Sequence, residues 1–448
     1  MAKNNVLGFL CLDKNTKTYS ITPNQMAAVI IILGLIVRVL ALLTYGNAFS
    51  QSSDDENYIV GTLNTMRTGQ LTYGFWGSEP AMLIMPAFQL LLAILFQIFG
   101  YTQSDMITVR FILSAIGCLG ILGLYKLAYR LFNASVGLTA AAMWAFWAPS
   151  ILADNVIMTE TLFVTCLLWF AYFAIKYCDT KKDSDFLFVL LFWFIGFMTR
   201  STIALIPLLF IPYLISKRFP IKLLFKRGIA AVIILVFLCF PWWLRNYQVT
   251  GRFVSSTASA GSVLVIGTFY GNYPKTEVGL NTQTEFWIPG ELNSLYNRMR
   301  REEEYAIRRI RYWWQHGGRR SFIEAYFLIK PRYALETAHY PWEIFEIPRD
   351  IVHRIHRTIL YLALAGTLGL LSKQARAPVV LCAMIFGYGL VLAAIFVPFP
   401  RYMYPFTPFA FILAAYLMSV AGAAAHKCLL SLAPAIRRHM KDKADVSG

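Results

Sequence analysis

Long apolar runs separated by short polar segments dominate this chain. They are read at Met26–Tyr45, Met106–Leu131, Ser135–Ala153, Thr161–Tyr177, Phe186–Thr199, Ile203–Ser216, Ile229–Leu244, Thr358–Leu371, Val379–Val397 and Tyr402–Ala424. At about 1.5 Å per helical residue, such runs suit a hydrocarbon layer of about 30 Å. No water is available there, so each crossing must satisfy its own backbone, as a helix does. The strict alternation of a membrane β-barrel is missing. The pattern therefore predicts an all-α polytopic membrane protein, a bundle of about ten transmembrane helices. An eleventh run, Ala81–Gly100, is long enough to span but carries Pro86, and counting it inverts the sidedness of everything downstream.

Composition agrees with that class: 57% hydrophobic residues, 15% aromatic and a mean hydropathy of +0.54. The formal charge of +17 sharpens the topology. Its basic residues sit mostly in short segments, at Lys126 and Arg130, Lys181 and Lys182, Lys217–Arg227, Lys373 and Arg376, and Arg437–Lys443. Short basic loops mark the cytoplasmic face. If Ala81–Gly100 lies in the interface or re-enters, both termini and all five basic segments are cytoplasmic; if it spans, the basic loops fall outside. The first arrangement is the one expected. It divides the chain into a membrane catalytic module (1–245) with an external loop at 46–101, a long external loop (246–357), C-terminal spans (358–425) and a basic tail (426–448).

The first run follows a polar segment with Lys3, Lys14 and Lys17 and precedes no small-residue cleavage site, so it reads as a retained span. The setting expected is a cell membrane of the bacterial inner or plasma-membrane type. Nucleic acid is not an expected partner, because no basic face interleaved with stacking aromatics occurs away from the membrane-flanking positions. The seven cysteines lack metal-ligand spacing and read as small packing residues. In the long loop, Arg298–Trp314 has helical patterning, with Glu304 and Arg308 at i,i+4 and Ile307, Ile310 and Trp314 on one face.

Against so few charges, clustered acids stand out. Asp54, Asp55 and Glu56 follow the first span, and Asp154 and Glu160 flank the start of a later one. Helix capping explains part of each group: Ser53 with Glu56, or Ser52 with Asp55, has capping-box spacing. What remains are carboxylates at a membrane edge, where like charges raise one another's pKa unless a cation, metal or proton shares the site. The two groups could hold a divalent metal, with Asp54, Asp154 and Glu160 as candidate ligands, or divide base and positioning roles. Arg110, Arg200, Arg245 and Arg401 are read at the same face, as anchors or as partners of an anionic substrate. Arg38, deeper in the first span, needs a partner inside the bundle. His353 and His356 are three apart and read as interfacial. No phosphate loop, Ser-His-Asp arrangement or HExxH motif is present.

The run Asp54-Asp55-Glu56-Asn57-Tyr58, with Gly69 eleven residues after the tyrosine, resembles the first external loop of GT-C superfamily membrane glycosyltransferases. It is most similar to the branch of protein O-mannosyltransferases and lipid A aminoarabinose transferases. Pro86–Gly100 resembles that branch's juxtamembrane helix, and Arg110–Phe132 its second span. Ala148-Pro149 through Phe163, Thr199-Arg200, Pro241–Tyr247 and Arg401–Pro405 are similar to later landmarks. The resemblance implies a GT-C fold and a polyprenyl-phosphate-linked sugar donor used outside the cytoplasm, with inversion at the anomeric carbon. It implies Asp54 as general base, Asp55 orienting it, Asp154 and Glu160 completing an acidic wall, and Arg245, Arg401 and Arg200 holding the lipid phosphate. The acceptor would be a glycan, lipid or protein hydroxyl. Two departures stand: Asp55 replaces a glutamate, and Ser78-Glu79-Pro80 replaces the Lys-Pro-Pro of the aminoarabinose branch. A transporter or flippase of an anionic glycolipid is the alternative; it sits less well with acids at the membrane edge and no visible repeat.

Overall fold

The computed structural model describes residues 21–50, 53–74, 79–271, 295–316 and 318–446, with side chains as far as Leu429 and at Ser431. Lys3, Lys14, Lys17, Cys11, Ser52, Ser78 and the side chains of Arg437–Lys443 lie outside the described residues. Every regular element among the described residues is helical. The first part comprises α1 (Pro23–Tyr45), α2 (Asp54–Thr68), α3 (Pro86–Phe99), α4 (Gln103–Leu131), α5 (Ala134–Ala145), α6 (Ala148–Asn155), α7 (Thr159–Thr180) and α8 (Asp183–Thr199). Then follow α9 (Ile206–Leu209), α10 (Ile211–Ser216), α11 (Ile221–Thr250), α12 (Ala260–Gly267), α13 (Leu295–His316), α14 (Arg319–Glu324) and α15 (Lys330–Glu336). The chain closes with α16 (Arg349–Gly366), α17 (Arg376–Ile395), α18 (Pro400–Met403) and α19 (Thr407–Val446).

Local chemistry sets many of these ends. Thr22 and Gln25 form a capping box at the start of α1, with Pro23 at the first helical position. Asn133 accepts from the Val136 amide to open α5. Gly69, at φ 71°, ends α2 in the left-handed conformation that glycine adopts without strain.

Among the described residues, six helical segments are long and apolar enough to cross a membrane: Pro23–Ala48, α4, α7, α11, α17 and Pro400–Leu429. The pair α5 and α6, bent by 61°, makes a seventh if it counts as one span. This corrects the straight span read at Ser135–Ala153: α6 begins afresh at Ala148, with Pro149 in its first turn. The span read at Ile203–Ser216 is likewise broken, into a 3-10 turn, α9 and α10, because Pro207 and Pro212 offer no N–H to a continuous helix. α8 has only 17 residues, and α16 is polar from Arg349 to Arg357. Of the ten spans expected, six or seven reach this length and apolarity among the described residues. Ala81–Gly100 holds a 14-residue helix, α3, outside the six.

Helix α4 is the axis of the bundle, contacting α1, α5 and α7. Gly120 and Gly123 let α7 approach it closely; a Cβ at Gly120 would lie 2.9 Å from Thr165 Oγ1. Thr165 and Trp169 then donate across that seam to the carbonyls of Ile116 (3.0 Å) and Leu119 (3.0 Å). A second layer joins α16 to α19 and α19 to α5. In the long hydrophilic stretch, α12 packs on α13. Helix α13 buries Leu295, Met299, Glu302, Ala306, Arg309 and Trp313, and Arg298–Glu302 and Arg300–Glu304 pair along it.

Candidate active site

The three consecutive acids have three different fates. Asp55 is buried and does the capping: its carboxylate accepts from the Ser53 amide (3.1 Å) and from Ser50 Oγ (2.7 Å). Ser53, the expected capping side chain, makes no such bond. Glu56 is exposed. Asp54 points the other way, accepting from Tyr73 Oη on Oδ1 (2.8 Å) and from Arg401 Nη1 on Oδ2 (2.6 Å), and its side chain stays 41% exposed.

Arg401 is the hub. Its Nε donates to Glu160 Oε1 (2.6 Å), so one guanidinium ties the first turn of α2 to the first turn of α7 across most of the chain. Arg200, at the end of α8, reaches the same Glu160 oxygen at 3.2 Å and lies over the ring of Tyr402. Glu160 is only 2% exposed, and the two arginines balance Asp54 and Glu160 charge for charge while Asp54 keeps an open side. Charge-assisted bonds of this length are the strong kind.

Neighbouring groups frame the hub. Tyr58 and Tyr73 meet edge to face at 5.3 Å, and burial pushes both phenols well above the ordinary tyrosine range, so both remain neutral donors. His339 belongs to the segment after α15 and interacts electrostatically with Glu160, Arg401 and Arg200; burial, chiefly, pushes its pKa down to about 4. Lys330, fully buried, donates to the carbonyls of Ala394 (2.8 Å) and Phe396 (3.0 Å) at the end of α17. It thereby fixes the turn that leads through Pro398 and Pro400 to Arg401. Burial lowers this lysine's pKa to about 7.

Asp154 does not join the hub. It sits 3% exposed in an ion pair with Arg38 Nε (2.7 Å), while Thr161 Oγ1 donates to its other oxygen (2.8 Å). Arg38 also donates to the carbonyls of Gly34 and Ala145 and to Ser150 Oγ. That is the bundle-internal partner Arg38 required. The space exists because residue 117 is glycine; a Cβ there would fall 2.1 Å from Asp154 Oδ2. The acidic wall expected from the sequence is therefore split between an open cluster and a sealed one.

The remaining candidates are accounted for by structure. Arg245 donates to the carbonyls of Ala81 (2.8 Å) and Leu71 (3.3 Å), holding the segment between α2 and α3, and stacks over Trp242. Arg110 donates to the Asn155 carbonyl. His353 accepts from the Ala338 amide and His356 stacks on Trp147, so the two face different neighbours. Among the described residues no three His, Cys, Asp or Glu side chains converge as metal ligands. Asp54 and Glu160 are bridged by a guanidinium and Asp154 is enclosed elsewhere, so these three do not form a ligand set.

Sequence reasoning missed His339, Tyr73 and Lys330. His339 and Lys330 lie in the long hydrophilic stretch, where no periodic signal separates them from their neighbours. Tyr73 stands 19 residues beyond the carboxylate it binds.

Residues 79–244 match the family described as dolichyl-phosphate-mannose-protein mannosyltransferase. That range includes Asp154, Glu160 and Arg200 and stops short of Asp54, Arg245 and Arg401. No curated protein sequence matches the chain. The fold is similar to the oligosaccharyltransferase of Archaeoglobus fulgidus in its apo form, at 15% identity and a TM-score of 0.54, covering 91% of this chain and 52% of that one. The same enzyme, AglB, in complex with an inhibitory peptide and a dolichol-phosphate matches at 14% identity and a TM-score of 0.54, covering 92% and 52%. ArnT of Cupriavidus metallidurans bound to undecaprenyl phosphate matches at 13% identity and a TM-score of 0.40, covering 91% and 79%. The chain thus spans about half the length of the oligosaccharyltransferase it matches. The family match and the shared fold bear out the resemblance to the GT-C superfamily of membrane glycosyltransferases.

Proposed function

We propose that this protein is a glycosyltransferase that moves a sugar from a polyprenyl-phosphate-linked donor to an acceptor hydroxyl of a glycan, lipid or protein, at the external face of the membrane and with inversion. The observation that carries this reading is the shared guanidinium of Arg401: it joins an accessible carboxylate, Asp54, to a buried one, Glu160, with Arg200 beside them. Asp54 takes the proton of the acceptor hydroxyl. The acceptor oxygen bonds to the anomeric carbon as the bond from that carbon to the phosphate oxygen breaks. The electron pair leaves on the lipid phosphate, where Arg401 and Arg200 stabilise the added charge. Glu160 holds both arginines in place, Asp55 sets the pitch of the helix that presents Asp54, and Tyr73 orients the Asp54 carboxylate.

A family match to lipid-phosphate-dependent mannosyltransferases and a neighbour solved with a dolichol-phosphate support the donor class. The basic segments support an orientation with both termini in the cytoplasm. Purified protein in proteoliposomes, offered a panel of polyprenyl-phosphate sugars together with glycan, lipid and peptide hydroxyl acceptors, is expected to release free polyprenyl phosphate without an ion gradient. Asp54→Asn should fold normally and lower the turnover about 10²- to 10⁴-fold, the range for a general base. Undiminished turnover by that variant removes Asp54 from the mechanism, and movement of intact donor that requires a gradient replaces the enzyme with a transporter.

A further inference from the structure

A cavity of about 590 Å³ lies away from the Arg401 cluster, between α15, α16, α17 and α19. Its charges are confined to one end: Arg332 and Glu336 on α15 and Arg357 on α16. The rest of its wall is apolar or small as far as Thr367, ten residues further along α16 and so about 15 Å away. That is half of a hydrocarbon layer of about 30 Å, the depth of a single leaflet. The charged end is on the site side of the molecule, because α15 packs against α18, which carries Arg401. The side wall opens outward: Tyr361 is 70% and Leu364 69% exposed. Gly387 contributes an empty stretch of wall, with no atom within 4 Å of where its Cβ would stand.

The three charges at the mouth have a common property. Other charged residues nearby are paired, Arg354 with Asp350 and Arg349 with Glu343, whereas Arg332, Glu336 and Arg357 form no ion pair among the described residues. Two guanidiniums beside one carboxylate complement a headgroup that carries a phosphate and an ammonium. An apolar slot one leaflet deep complements one acyl chain.

We propose that this slot binds one aminophospholipid of the bilayer, with its phosphate between Arg332 and Arg357, its ammonium at Glu336 and one acyl chain lying along Gly387. The site is separate from the donor site and does not depend on the glycosyltransferase reading. Through α15 the lipid braces the helix that carries Lys330, and hence the turn before Arg401.

Native mass spectrometry of the full chain, exchanged into micelles containing equimolar phosphatidylethanolamine and phosphatidylglycerol, tests the assignment. One retained phosphatidylethanolamine per chain is expected. Gly387→Phe, which fills the empty wall, should reduce retention roughly tenfold, and Glu336→Gln should abolish the preference between headgroups. Should Gly387→Phe fail to fold, as judged by thermal unfolding, the double variant Arg332→Gln/Arg357→Gln carries the test with the same roughly tenfold loss expected. No retained lipid, equal retention of the two headgroups, or retention untouched by these variants overturns the proposal. Displacement by an equal concentration of polyprenyl phosphate overturns it too, by giving the slot to the donor.

Discussion

Two arginine–carboxylate clusters stand within one helical bundle, both balanced charge for charge, and they differ in how far they are sealed. At Arg38–Asp154 one cation meets one anion at 2.7 Å, both are sealed, and three more guanidinium N–H groups are taken by Gly34, Ala145 and Ser150. At Arg401, two arginines converge on Glu160, and the further carboxylate, Asp54, is partly exposed. The first cluster has nothing left to offer a ligand; its work is to join α1, α6 and α7 where an unpaired charge would be prohibitive. The second keeps an open side. Burial and pairing alone do not separate structure from chemistry here. Accessibility of one member, the 41% exposed Asp54, does.

The largest expected effect lies in the sealed pair. Arg38→Met leaves Asp154 buried without its partner and should lower stability by about 3–5 kcal/mol, the cost of breaking a buried ion pair. Adding Asp154→Asn should recover much of that loss, since neither charge then remains. Denaturation midpoints in detergent, measured on the single and double variants, check both statements. A double variant no more stable than Arg38→Met would mean that Arg38 acts through its carbonyl contacts instead.

The open cluster should fail in the opposite manner, in activity before stability. Arg401→Lys keeps a positive charge but cannot span Asp54 and Glu160 with separate fixed donors. Turnover is expected to fall on the order of 100-fold with a small shift in unfolding temperature, the size of effect seen when one oriented donor to a developing charge is removed. Arg401→Lys that unfolds the protein as Arg38→Met does would erase the contrast between the clusters. Tyr73→Phe removes one hydrogen bond to Asp54 Oδ1. A decrease in turnover of roughly fivefold is expected, matching a net hydrogen-bond contribution of about 1 kcal/mol. Initial rates of polyprenyl phosphate release measure both.

This contrast was only partly legible in the sequence. Residue-by-residue hydropathy identified α1, α4, α7, α11 and α17, because a long apolar run has one physical solution in a bilayer. It failed at Ser201–Ser216 and at the α5–α6 bend, where prolines interrupt hydrogen bonding without lowering apolarity. The motifs brought Asp54, Glu160, Arg200 and Arg401 forward as candidates. They did not reveal that Arg401 touches both acids, since no local pattern links residues more than 200 positions apart. Asp154 and Glu160, six residues apart, looked like one group; the turn between α6 and α7 sends one into the bundle and the other toward the hub. Arg38 announced its need for a partner by its depth, but not which partner.

The smallest effect concerns pH and His339, which faces Glu160, Arg401 and Arg200. Burial, reinforced by the two arginines and opposed by Glu160, lowers its pKa from 6.5 to about 4. The unfolded chain therefore binds a proton near pH 6.5 that the folded chain accepts only near pH 4. Stability from this residue is fully present above pH 6.5 and declines as the pH falls through that window. His339→Gln should flatten this part of the stability curve relative to the native chain while leaving the Arg38–Asp154 cluster untouched. Unfolding temperatures taken at intervals between pH 7 and pH 4.5 give the slope for each protein. Equal slopes would mean that burial beside the hub does not hold His339 neutral, and would overturn this account of the residue.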